Sequence, residues 1–122
     1  MPNRPLLESE RILAQWMLEN GLPEGRGFLS QLANAEVTDW QCPCGCASIN
    51  FHIQGQPAPP PGVHILGDYL FGDSDTFAGV FIFESAGVLS GIEVYGLATE
   101  APKVLPTPID LRPFDASQSP PR

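Results

Sequence analysis

Between Ala47 and Tyr95 the sequence reads as four strand-like runs separated by turns and a proline loop, and this pattern constrains the fold more than any other feature of the chain. Residues 47–54 are the cleanest case. Ala47, Ile49, Phe51 and Ile53 fall on one face, and Ser48, Asn50, His52 and Gln54 fall on the other, as a half-buried strand requires. Runs at 63–71, 76–84 and 88–95 follow. They are separated by Gly72-Asp73-Ser74-Asp75 and Ser85-Ala86-Gly87, which is turn chemistry. Connections this short favour antiparallel neighbours. Pro57, Pro59, Pro60 and Pro61 cannot lie inside a ladder, so they predict a stiff exposed loop between the first two strands.

The N-terminal part has a different period. Leu6, Leu13, Met17 and Asn20 predict an amphipathic helix over 5–20, with Ile12 and Trp16 widening its stripe. Ser9 or Asn3 is its expected cap, and Asn20-Gly21 followed by Pro23 its stop. A shorter helix is expected over 26–34, with Phe28, Leu29 and Leu32 on one side. Past Glu100 the prolines at 102, 106, 108, 113, 120 and 121 exclude regular helix or interior strand. Val104, Leu105, Ile109, Leu111 and Phe114 are expected to pack as an extended strap. The expected architecture is α+β: two N-terminal helices on an antiparallel sheet of four to five strands, closed by a Pro-rich C-terminal strap. Residues 1–112 form one domain in this reading, and 113–122 form a disordered tail.

In the run Val80-Phe81-Ile82-Phe83 both faces are apolar, so something must cover the face that the helices do not. The strap or a partner protein is expected there. Trp40, Phe71, Phe77, Phe81, Phe83 and Tyr95 are the aromatic core candidates.

Charge excludes some functions. The net charge is −8, and no Lys or Arg occurs from Gly27 to Ala101, a stretch that holds Glu36, Asp39, Asp68, Asp73, Asp75, Glu84, Glu93 and Glu100. A uniformly negative centre repels nucleic acid and anionic membrane. No apolar run approaches the roughly 18 residues needed to span a bilayer. Glu8, Glu10 and Arg11 interrupt any secretory h-region, so a cytoplasmic location with reduced thiols is expected.

All three cysteines lie in Cys42-Pro43-Cys44-Gly45-Cys46. On a straight strand successive thiols of this set would stand about 7 Å apart, too far to share one ion. Pro43 and Gly45 favour a bend that gathers them. A zinc site then needs a fourth ligand. His52 is the candidate on the same strand parity as Cys46, though roughly 20 Å along if the strand is straight. His64 and Asp39 are alternatives. Redox chemistry is disfavoured, because nothing basic lies nearby in sequence and the acidic surround should raise the thiol pKa values. Asp73-Ser74-Asp75 lacks the remaining ligands of a calcium loop and reads as turn-forming aspartates. Neither histidine, His52 or His64, accompanies a serine elbow, and Ser90-Gly91 precedes a strand rather than a helix. Glu84 and Glu93, on strands joined by a short turn, are expected to be able to face one another.

Cys44-Gly45-Cys46-Ala47-Ser48-Ile49, the later Gly87-Val88-Leu89-Ser90-Gly91-Ile92-Glu93-Val94-Tyr95 strand and Leu105-Pro106 together resemble a group of small uncharacterised bacterial proteins. The resemblance spans most of residues 5–112 and implies a bacterial α+β domain. It implies no catalytic residue.

Three functions follow as expectations. The first is a non-enzymatic protein-binding module, of inhibitor or immunity type, that meets a basic partner as a monomer or homodimer. Asp73, Asp75, Glu84, Glu93 and Tyr95 are its candidate binding residues. The second is a zinc-binding domain, structural or sensory, built on Cys42, Cys44 and Cys46 with His52. The third is an enzyme of unrecognised type.

Overall fold

The computed structural model describes residues 3–113, and over these the chain is α+β. Seven strands form one antiparallel sheet: β1 (Arg4–Pro5), β2 (Ala35–Val37), β3 (Ile49–Ile53), β4 (His64–Phe71), β5 (Ala78–Ser85), β6 (Val88–Gly96) and β7 (Arg112–Pro113), in the spatial order β1-β2-β3-β6-β5-β4-β7. The four strand-like runs became β3 to β6. The sheet exceeds the expected four to five strands because three short strands, β1, β2 and β7, of two or three residues each, carry too little alternation to show a period.

The first helix, α1, spans Glu8–Asn20 and not 5–20, because Arg4 and Pro5 pair with Val37 and Glu36 as strand β1. Its start is not capped by Ser9 or Asn3. The Glu10 carboxylate reaches back and accepts from the Leu7 N–H at 2.8 Å. Over 26–34 Pro23, Gly25 and Gly27 keep the chain in a 3-10 helix (Pro23–Phe28), so only one turn of α-helix forms, α2 (Leu29–Leu32), before β2 begins.

One face of the sheet carries the core. Leu13, Met17 and Leu18 of α1 meet Leu66, Val80, Ile82 and Ile92, all fully buried, and each such side chain contributes about 2 kcal/mol. Tyr69 ties the layers together, its hydroxyl donating to the Met17 carbonyl at 2.7 Å. The helical stripe differs from expectation at Ile12, which is 48% exposed, while Ala14 and Leu18 are buried in its place. The strap also lies on this side. Leu105 and Leu111 join the core margin, whereas Val104 and Ile109 stand out in solvent. Phe114 and the rest of the expected tail lie outside the described residues.

The strap therefore does not cover Phe81 and Phe83. These half-buried rings stand on the opposite face, where Phe81 packs against Phe83 and Tyr95 at centroid distances of 5.7 and 6.0 Å. Tyr95 lies directly over Gly79, where a Cβ would come within 2.1 Å of the ring. The proline loop closes part of this face, held by the Ser85 hydroxyl donating to the Pro60 carbonyl at 2.7 Å. No helix among the described residues is long and apolar enough to cross a membrane.

Candidate metal centre

Strand β3 is shared between two partners. Its second half pairs with β2 (Phe51 opposite Val37, Ile53 opposite Ala35), and its first half pairs with β6 (Ile49 opposite Ile92). The chain that leaves β2 must loop out before it returns as β3, and Cys42–Cys46 lies in that excursion. Two bonds fix its return. Ser48, buried, accepts the Val94 N–H at 3.0 Å, and the Ala47 N–H donates to the Pro102 carbonyl at 2.9 Å. The first joins the corner to the sheet, and the second brings the strap alongside it.

Within the loop, Pro43 and Cys44 make a turn closed by the Gly45 N–H donating to the Cys42 carbonyl at 2.9 Å. Gly45 then takes φ +81°, a left-handed conformation that glycine adopts without strain. This reversal replaces the spacing of a straight strand. All three Sγ atoms lie within 4.8 Å of one another, and Cys42 and Cys44 are 2.8 Å apart. The Cys46 N–H points at the Cys44 Sγ, 3.3 Å away. An N–H aimed at sulfur favours the thiolate.

The thiols are not equivalent. Contact with Cys42, and then with Cys46, pushes Cys44 up to about 11. Burial pushes Cys46 up as well, but its hydrogen bonds with the Ser48 side chain and backbone and with the other two thiols outweigh this and bring it down to about 7. The chemistry of Ser48 explains the second result. Its oxygen accepts both the Val94 N–H and the Cys46 thiol, 3.2 Å away, and once that thiol ionises the hydroxyl proton can turn to face the sulfur. The expectation that the acidic surround raises these pKa values fails at Cys46, where these hydrogen bonds outweigh burial.

The corner opens on a cleft of about 920 Å³, with Cys42 and Cys46 in its wall. Arg4 and Lys103 also line it, basic neighbours that sequence distance concealed. Arg4 is committed, its guanidinium gripping both Glu10 oxygens at 2.9 Å. Burial pushes the Glu10 carboxyl up, but this fork and the Leu7 N–H more than compensate and hold it below the usual carboxylate range.

His52 does not join the cysteines. It stands opposite Glu36 on β3 and, with Asn50, lines a second cavity of about 330 Å³ beneath Pro59–Pro61. Among the described residues the group that could hold an ion is Cys42, Cys44 and Cys46 alone. His64 is elsewhere too, with Nδ1 2.9 Å from Glu84 and Nε2 3.5 Å from Glu24.

The candidate binding carboxylates are dispersed. Asp73 and Asp75 sit at one end of β5 and Glu84 near the other. Asp73 Oδ1 accepts from the N–H groups of Asp75 and Thr76 and from the Thr76 hydroxyl, so this carboxylate serves its own turn. Glu84 accepts the Gly87 N–H at 2.7 Å. The tight turn pairs Ser85 with Val88 and Glu84 with Leu89, and beyond a one-residue bulge Glu93 stands opposite Phe81, so the two glutamates do not face one another as expected. Tyr95 donates to Asp68 at 3.1 Å and is buried enough to be pushed up to about 12.

No protein-family model, no curated protein and no solved structure matches this chain.

Proposed function

We propose that the protein is a metal-binding domain whose centre is Cys42, Cys44 and Cys46, with zinc as the ion. The observation that carries this reading is the convergence of three sulfurs within 4.8 Å on a turn made for it by Pro43 and Gly45. Thiolates bind zinc at about 2.3 Å in a tetrahedron, so ligands gathered to this degree close on one ion with small side-chain movements. Soft sulfur donors select zinc over magnesium or calcium. Three protein ligands are also the number that leaves one coordination position open. The resemblance to small bacterial proteins with a Cys-rich corner before a strand belongs to this proposal, which would then extend to them.

A basic protein partner is less supported, because the carboxylates that would recognise it are spread over both ends of the sheet and two of them bind their own turns. The test is elemental analysis of untagged protein purified without chelator. About one zinc per chain is expected from a single three-thiolate centre. Protein free of metal, with three titratable thiols and no uptake of added zinc, would overturn the reading.

A further inference from the structure

The cleft beside the cysteines has two properties that a purely structural zinc site does not need. It gathers exposed apolar surface: Leu7, Trp40 and Val104, exposed by 58%, 42% and 77%, all line it. It also holds Lys103, the single lysine of the chain. The Ala47–Pro102 hydrogen bond sets that residue's backbone beside the corner. Arg4 is occupied by Glu10, and no ion pair links Lys103 to any of the described residues. Three thiolates and a divalent ion sum to one negative charge, which the Lys103 ammonium offsets. Arg4 and Glu10 cancel, Asp39 also lines the cleft, and Lys103 is the cation that an anion entering it would meet in a molecule that is otherwise strongly acidic. At about 920 Å³ the cleft is of the size that takes a small molecule.

We infer that this cleft binds a small carboxylate with an apolar body, with the carboxylate as the fourth ligand of the metal, neighboured by Lys103, and the body over Trp40, Leu7 and Val104. The inference rests on the metal reading above. It assigns the open coordination position to an exogenous ligand, as in zinc sites that leave one position for water or substrate, and it explains why apolar side chains ring a polar corner without packing against one another in the core.

The test uses the full chain loaded with Co²⁺ in place of zinc and titrated with 3-phenylpropionate. Propionate and 3-phenylpropanol serve as probes that lack the body and the charge, respectively. The acid is expected to shift the ligand-field bands saturably, with both partial probes at least tenfold weaker, about 1.4 kcal/mol. Lys103→Met should raise the half-saturation for the acid about tenfold and leave the alcohol unchanged. Thiolate-to-cobalt charge-transfer bands together with ligand-field bands that the acid never moves would overturn this inference and leave the metal centre standing. Absent charge-transfer bands would overturn the metal reading and this one with it.

Discussion

The corner at Cys42–Cys46 and the turn at Gly72–Thr76 are written in the same vocabulary. Each is a short turn between sheet elements, each contains a glycine of positive φ, and each carries metal-ligating side chains at every second position. They end in opposite states. In the second turn the Asp73 carboxylate accepts three hydrogen bonds from its own loop, and these, first the Thr76 hydroxyl, hold its pKa below the usual carboxylate range. In the first, the Gly45 N–H closes the backbone on the Cys42 carbonyl, and Cys44 Sγ accepts a single backbone hydrogen bond, from the Cys46 N–H, so the sulfurs still converge. A ligand atom that accepts three hydrogen bonds from its own turn is lost to a metal, whereas atoms on a turn closed by a backbone hydrogen bond remain available.

Metal removal should separate the two turns most sharply. Zinc at a thousandfold excess over its Kd should stabilise the chain by about 4 kcal/mol, seen as a rise in Tm that chelator reverses. Cys44→Ser should lose that increment, while Asp73→Ala should lower Tm equally with and without zinc. A chelator-insensitive wild type, or an Asp73→Ala variant that responds differently to zinc, would break the comparison.

Glu10→Gln comes next, because it leaves Arg4 without its fork at the rim of the same cleft. A loss of about 1–2 kcal/mol is expected in denaturant unfolding. The sign with pH follows from the depressed carboxyl: its contribution is complete above the ordinary glutamate pKa and is lost as pH falls through the folded value. The Glu10→Gln variant should lack that part of the acid destabilisation. An identical pH profile for both chains would show that the fork contributes nothing.

Gly45→Ala tests whether backbone geometry alone gathers the sulfurs. The left-handed conformation costs a residue with a Cβ about 1–2 kcal/mol, so metal affinity should fall about tenfold although no ligand is touched. Zinc competition against a chromophoric chelator reads this directly, and an unchanged affinity would mean that the ion can impose the turn itself. The smallest effect is expected at a third turn, which has no ligand chemistry. Ala86 and Gly87 join β5 to β6 with φ of 52° and 86°, the conformation that asparagine–glycine prefers. Ala86→Asn should add up to about 1 kcal/mol at unchanged denaturant slope, with metal binding unaffected.

Much of this architecture was legible from local pattern. Strands β3 to β6 and the helix α1 announce themselves because period and turn residues act over a few neighbours, and the cysteine corner was legible as a bend for the same reason. Strands β1, β2 and β7 were not, since two or three residues hold no period and form only because an edge is there to pair with. The face-to-face expectation for Glu84 and Glu93 failed because the tight Ala86-Gly87 turn pairs Ser85 with Val88, so that Glu84 meets Leu89 and Glu93 meets Phe81, a register set by the turn and not by the alternation pattern.

The sequence by itself determined the class of the fold, the acidic centre of the chain and the three cysteines that could hold an ion, because each is a property of composition or of residues within one turn. Only the tertiary structure decided that His52 stands apart from them, that Ser48 tunes Cys46, and that Arg4 and Lys103 arrive beside the corner from opposite ends of the chain. Strand register and the path of a strap are set by the closing of the whole sheet, and that closure joins residues whose sequence separation carries no signal of their meeting.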